Sequence, residues 1–309
     1  MKLLFFDNYR LGALKEDNVI DLSDFAQAIP HADPNTLISK LIESYANYRE
    51  ELQRIIDSSP GVSVNQVSIR SPLPRPANID CMAVNYMENG TLTEKPPFNA
   101  FQKSPGSIIG NGDTMILPDV PATIFEGEAE LGVVIGKRAS HVKAADAMNY
   151  VFGYINFIDG SARGLPSPIN VFYQMKSRDT FAPIGPCIVT ADEISDPHNL
   201  AVKLWNNGIL MQDFNTSDMA NKIPECIEWI SSIHTLEPGD IVATGTNHGG
   251  LNPFQDGDSI EMEIEGLGRL NFKVRDDLKR TWARETRFER QQKGLEGFTP
   301  QLTGKYANS

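Results

Sequence analysis

Ile124-Phe125-Glu126-Gly127-Glu128-Ala129-Glu130-Leu131-Gly132-Val133-Val134-Ile135-Gly136 sets glutamates at alternate positions and then runs into Val-Val-Ile. Alternate residues of a β-strand project to one side, so Glu126, Glu128 and Glu130 share a face. The second half is the apolar run of a buried strand. Carboxylates leading into such a strand are costly to bury unless positive charge compensates them. Mg²⁺ or Mn²⁺, which prefer hard oxygen ligands, would supply that charge. The same alternation also suits a solvent-facing edge strand whose acids serve solubility, and E-x-E spacing alone does not separate the two.

Another acid lies downstream. In Gly153-Tyr154-Ile155-Asn156-Phe157-Ile158-Asp159-Gly160-Ser161-Ala162-Arg163, Asp159 is expected at the end of an apolar strand, before a turn of small residues. An Asp in that place is commonly a turn former. Beyond it, Gln174-Met175-Lys176-Ser177-Arg178-Asp179 carries a lysine that either serves a site or pairs with Asp179 on the surface. If that stretch is extended, Gln174 and Lys176 point the same way.

The rest of the chain frames these acids. With 309 residues, 24 Gly and 20 Pro, the chain reads as many short strands joined by turns. Its net charge of −12 and lack of a Lys/Arg run exclude a nucleic-acid-binding surface. Cys81, Cys187 and Cys226 form no C-x-x-C pattern, which argues against a disulfide framework or a structural zinc. No apolar run approaches the roughly 18 residues of a membrane span, and Met1 to Arg10 lacks the character of a signal peptide, so a cytoplasmic location is expected.

Strands at 2–6, 11–14 and 18–22 predict a small meander, followed by a helix from Asp33-Pro34 to about Asp57. Pro72, Pro74 and Pro76 suggest an extended linker. The expected division is therefore a small α+β domain over 1–75, a catalytic domain over 76–280, and an arm and tail over 281–309. The strand-rich order without βαβ alternation predicts an α+β class and disfavours a doubly wound fold. The polar stretch from Thr281 to Gly294 reads as an exposed helix or arm.

Several segments, in order, carry a resemblance. They include Asn85-Tyr86, Phe101-Gln102-Lys103, Glu128-Ala129-Glu130-Leu131, Asp159 with Ala162-Arg163, Lys176-Ser177, Asp179-Thr180-Phe181, Leu236-Glu237-Pro238-Gly239-Asp240 and Thr244-Gly245-Thr246. Over about 78–274 the chain resembles the fumarylacetoacetate hydrolase family. The resemblance implies a mixed β-roll or sandwich catalytic domain, a small N-terminal domain and a homodimer. It implies that Glu128, Glu130 and Asp159 hold Mg²⁺ or Mn²⁺ and that the substrate is a small 2-oxo or 1,3-dicarbonyl acid. Lys176 would then sit beside a developing oxyanion, and Thr246 would offer its hydroxyl and N–H to a substrate carboxylate. Gln174 is a further substrate-binding candidate. Glu126 has no counterpart to carry over and is left to support or surface.

One segment departs from the family pattern. Hydrolases of the family commonly carry His-x-x-Glu shortly after Asn-Tyr, as a water-activating dyad. Here Asn89 and Leu92 occupy those places, and neither can act as a general base. Glu88, Glu94 or His248 would have to replace it, Glu88 and His248 being the candidates carried forward. The expected activities are hydrolysis of a C–C bond in an acylpyruvate-like acid, or decarboxylation, hydration or isomerisation of an oxaloacetate-like acid on the same site. A non-catalytic metal- or acid-binding protein is the remaining alternative.

Overall fold

In the computed structural model, which describes residues 1–307, the acidic stretch forms the strand Ile124–Ile135, buried at every position. It pairs antiparallel with Val151–Arg163 along nearly the whole of both strands. The solvent-facing reading of the glutamates therefore does not hold. Asp159 also lies well inside its strand rather than at the strand's end, because pairing with the glutamate strand extends regular structure as far as Arg163.

This hairpin is central to a twelve-stranded sheet, and a separate five-stranded sheet contributes Ala201–Asn206, Ser259–Ile264 and Gly268–Arg275. Val202, Leu204, Ile260, Met262, Leu270 and Phe272 of the smaller sheet share a core with Phe125, Leu131 and Ile158. A second core joins Val134, Ile155 and Phe157 to Leu37, Ile38, Leu41 and Leu52 of the N-terminal helices. The central strands are thus covered on both faces, which is why their sequences read as apolar runs rather than clean alternation. The architecture is the β-rich α+β class expected.

The first strand, Lys2–Phe6, hydrogen-bonds to Ala182–Thr190, so the large sheet runs across the boundary expected near residue 75. Ser71, Pro72 and Leu73 are buried, so the proline-rich segment is packed against the second core and is not a free linker. Asp33 caps the first long helix, its carboxylate accepting from the Thr36 N–H at 2.8 Å. The expected single helix is two, Pro34–Glu43 and Tyr45–Ser58, because Ser44 leaves helical geometry at φ −105°, ψ 15°. Each half can then set its own apolar stripe on the core.

The arm folds back on its own chain. Thr281–Trp282 pairs with Gln301–Thr303, and the buried Trp282 donates from Nε1 to the Thr123 carbonyl at 2.7 Å. Between them the helix Arg287–Gln292 opens with a reciprocal cap between Thr286 and Glu289.

His234, just past the helix Ile223–Ile233, places Nε2 3.0 Å from Asp80 Oδ1. Burial disfavours the charged ring, but the Asp80 carboxylate outweighs this and raises its pKa. A raised folded-state value means that the stabilisation is complete below the unfolded value of about 6.5. It is lost as pH rises through the folded value. His234→Gln is therefore expected to cost of the order of 0.5 kcal/mol at acid pH and less at alkaline pH, as read by urea denaturation at both. An equal cost at both would remove the ion pair from the account.

Candidate active site

Strand register builds the centre. Glu128 and Asp159 are directly opposed partners on neighbouring strands, and Glu130 lies one pleat along opposite Phe157. Glu128, Glu130 and Asp159 each offer a carboxylate oxygen, all within 4.8 Å of one another and all buried. Gly127, between Glu126 and Glu128, admits no side chain, since a Cβ there would lie 2.4 Å from the Phe254 ring. Gly245 adopts φ +88° in the turn after the strand Ile241–Ala243, which aims its N–H at Glu130 Oε2, 2.7 Å away.

Cations surround the acids. The Lys176 ammonium bonds to both Glu128 and Asp159. Lys103, itself buried, donates to Asp159 at 2.6 Å and to the Gly160 carbonyl at 3.1 Å. Arg163 donates from Nε to Glu126 at 2.7 Å and from its terminal nitrogen to Glu128. Burying such pairs is tolerable because almost every charge has a partner; removing one partner would strand the other.

The protonation preferences diverge accordingly. Burial pushes the Glu128 carboxyl up, but Lys176 and Arg163 more than reverse this and hold it well below the usual carboxylate range. Burial, with the charges of Asp159 and Glu128 beside it, drives Glu130 well above that range. Asp159 is likewise raised by burial, against the pull of Lys103 and Lys176. Three crowded, buried oxygen donors, two of them with raised proton affinity, are a fitting set for a hard divalent cation, which relieves their mutual repulsion.

A second cluster adjoins the first. The Glu88 carboxylate accepts the backbone N–H of His248 at 2.9 Å and bonds to the Nδ1 edge of its ring. The other ring nitrogen, Nε2, lies 3.6 Å from Glu128 Oε1. A carboxylate on Nδ1 fixes the tautomer and leaves Nε2 free to accept a proton. The segment carrying Glu88 is held by Asp218, whose carboxylate accepts the Asn89 N–H at 3.0 Å. Val84, Glu88 and Asn89 all have φ between 52° and 55° there. For β-branched Val84 this conformation is strained. Phe101, Phe172, Arg163, Lys176, Thr246 and His248 line a cavity of about 60 Å³ over the acids. Phe101 and Phe172 stack at 4.7 Å and form its apolar wall.

Residues 78–275 match the model of the fumarylacetoacetate hydrolase C-terminal domain. The chain belongs to the fumarylacetoacetate hydrolase family. Its relatives in that family include a mitochondrial oxaloacetate tautomerase of Bos taurus, 36% identical over 83% of both chains. Among solved structures, maleylpyruvate hydrolase from Sphingobium sp. SYK-6, in complex with manganese(II) and pyruvate, superposes with a TM-score of 0.81. It is 35% identical, over 89% of this chain and 99% of that one. The 5-carboxymethyl-2-hydroxymuconate delta-isomerase of Mycobacterium smegmatis is 26% identical, with a TM-score of 0.71 over 90% of this chain and all of that one.

Glu128, Glu130 and Asp159 converge here, and Lys176, Thr246, Glu88 and His248 gather around them. Lys176 does not form the alternative surface pair with Asp179, because its ammonium is engaged by the acids. Gln174 is a correction. The segment Phe172–Lys176 is helical, so residues two apart diverge rather than align, and Gln174 accepts from Arg178 at 3.2 Å away from the cavity. Glu94 is exposed.

Glu126 is buried between Arg163 and Arg287 rather than on the surface. Lys103 and Arg163 went unassigned from the sequence. Strand parity carried a signal for Arg163, four residues after Asp159 and hence on its face. For Lys103, only its place in the Phe101-Gln102-Lys103 segment pointed to the site.

Proposed function

We propose that this enzyme hydrolyses a C–C bond of a small 2-oxo or 1,3-dicarbonyl acid of the acylpyruvate kind, with Glu128, Glu130 and Asp159 holding Mg²⁺ or Mn²⁺. The observation that carries the reading is the Glu88–His248 pair beside the acid triad. It supplies an imidazole and an orienting carboxylate where Asn89 and Leu92 had removed the family's usual ones. A divalent cation bound there would polarise the keto oxygen and stabilise the enolate released when the bond breaks.

His248, oriented by Glu88, accepts a proton from water at Nε2 as the water oxygen bonds to the acyl carbonyl carbon. The C–C bond then breaks to leave a carboxylic acid, and His248 returns the proton to the enolate carbon. Lys176 adds fixed positive charge beside the developing oxyanion. Thr246 and Arg163, which both line the cavity, receive the substrate's carboxylate, and the apolar wall of Phe101 and Phe172 takes the acyl portion and excludes bulk water. Support for a 2-oxo acid comes from the maleylpyruvate hydrolase neighbour, which holds manganese and pyruvate.

A second reading is keto–enol isomerisation of an oxaloacetate-like acid. The tautomerase relatives favour it, as does a cavity of about 60 Å³, which leaves little space for a long acyl chain. The same His–Glu pair would then carry the proton between carbon and oxygen, with no water consumed. Decarboxylation on the same site would need neither. The buried, unpaired cysteines accord with a cytoplasmic protein, and a homodimer is proposed from the family resemblance.

One set of incubations separates these readings. Purified protein with Mn²⁺ is offered a panel of acylpyruvates and oxaloacetate while products are identified by NMR. Two carboxylic acids, one of them pyruvate, are expected for hydrolysis. Faster loss of the enol absorbance of oxaloacetate without fragments would move the assignment to tautomerisation, and pyruvate with CO₂ to decarboxylation. No turnover across the panel would overturn the proposal.

A further inference from the structure

The C-terminal arm lies beyond the segment matched by the family model, yet it reaches the site. Arg287 donates from Nε to Glu126 at 3.1 Å and from a terminal nitrogen to the other oxygen of the same carboxylate. Its backbone N–H binds the Leu251 carbonyl at 2.9 Å, and that of Phe288 binds the Gly249 carbonyl at 2.8 Å. The arm thus grips the loop just after His248 while its guanidinium holds Glu126. Glu126 is 1% exposed and takes its remaining partner from Arg163, whose other end contacts Glu128 and the cavity.

We propose that Arg287 is a positioning residue for anion binding: by occupying Glu126 it keeps Arg163 turned toward Glu128 and the cavity, where the guanidinium meets the carboxylate of a small acid. This rests on the reading of the cavity as a site for 2-oxo acids. The physical cause is competition for one guanidinium. A buried carboxylate seeks bonds to both its oxygens, and Arg can satisfy them together through a fork. With Arg287 present, both Glu126 oxygens are engaged and Arg163 contributes a single bond to it. Without Arg287, Glu126 draws Arg163 into the two-pronged contact and away from the cavity. Removing the charge of Glu126 as well removes the pull. A merely structural brace predicts the opposite, since two lost contacts would then add.

The test is a double-variant cycle of E126Q, R287A and E126Q/R287A on the full-length protein. Mn²⁺ affinity is read by EPR of the free ion, and binding of oxalate to the manganese-loaded protein by calorimetry. R287A is expected to keep Mn²⁺ affinity within about threefold and to weaken oxalate by about tenfold or more, the size of effects transmitted through a supporting residue. R287K, which has no fork to hold both oxygens, should weaken oxalate nearly as much as R287A, and E126Q/R287A should return binding to within about threefold of the wild type.

Oxalate affinity in R287A within about twofold of wild type, or a double variant no better than R287A, would overturn the proposal. Loss of Mn²⁺ affinity in R287A would do the same, because the arm would then brace the whole site. Wild-type protein that binds no oxalate also overturns it. Wild-type protein that binds oxalate but turns over nothing on the substrate panel sinks the proposed function alone and leaves this cycle readable.

Discussion

Glu130→Gln is expected to abolish manganese-dependent stabilisation and lower turnover by about 10³-fold or more, while leaving the metal-free protein at least as stable as the wild type. Among the described residues Glu130 forms no ion pair and accepts only the Gly245 N–H, and burial with the neighbouring acids makes its charge unfavourable. Gln keeps an acceptor for that N–H and removes the like-charge crowding, so the apo protein loses nothing. The divalent cation loses one of three carboxylates.

Asp159→Asn behaves differently. Asp159 partners both Lys103 and Lys176; Lys176 keeps Glu128, but the buried Lys103 ammonium is left without its carboxylate partner. A cost of about 3–5 kcal/mol in metal-free stability is expected from breaking such a buried arrangement. Thermal unfolding with and without Mn²⁺ checks both variants. A Glu130→Gln protein still stabilised by Mn²⁺ as strongly as the wild type would remove Glu130 from the metal site.

His248→Ala should reduce turnover by about 10²–10⁴-fold with Mn²⁺ binding preserved, because the ring pairs with Glu88 and meets Glu128 only at 3.6 Å among the described residues. Glu88→Gln should cost less, about 10–100-fold. Gln can still accept from the His248 N–H and ring but no longer stabilises the imidazolium formed in the reaction. The double variant should be little worse than His248→Ala, since the two act as one unit. Steady-state rates on whichever substrate the product analysis identifies decide this. Both single variants within about twofold of wild type would retire the pair as the proton-moving group.

The shared face of Glu126, Glu128 and Glu130 was legible because strand periodicity is local, whereas the grouping of Glu128 and Glu130 with Asp159 came from the family resemblance. Alternate glutamates share a face whatever the rest of the chain does, but whether that face is buried was decided by the paired strands. The order of the family segments, the strand-rich class and the Asp33 cap are likewise written in short windows of sequence. What the windows lack is pairing. Whether Asp159 ends a strand or lies within one depends on the partner strand running alongside it, and the register that opposes it to Glu128 is a property of the hairpin as a whole.

The same reason separates Gln174 from Lys176. Two residues apart says nothing of direction until the backbone is known to be helical there. Glu88 and His248 are 160 residues apart, and Glu126 and Arg287 are 161 apart. No spacing rule spans such distances. The chain's own order determined which chemical groups were available and which faces they shared. Only the packed sheets, the strained turn at Glu88 and the folded-back arm decided which of them meet, because buried charges converge where the tertiary structure excludes water and brings a partner within reach.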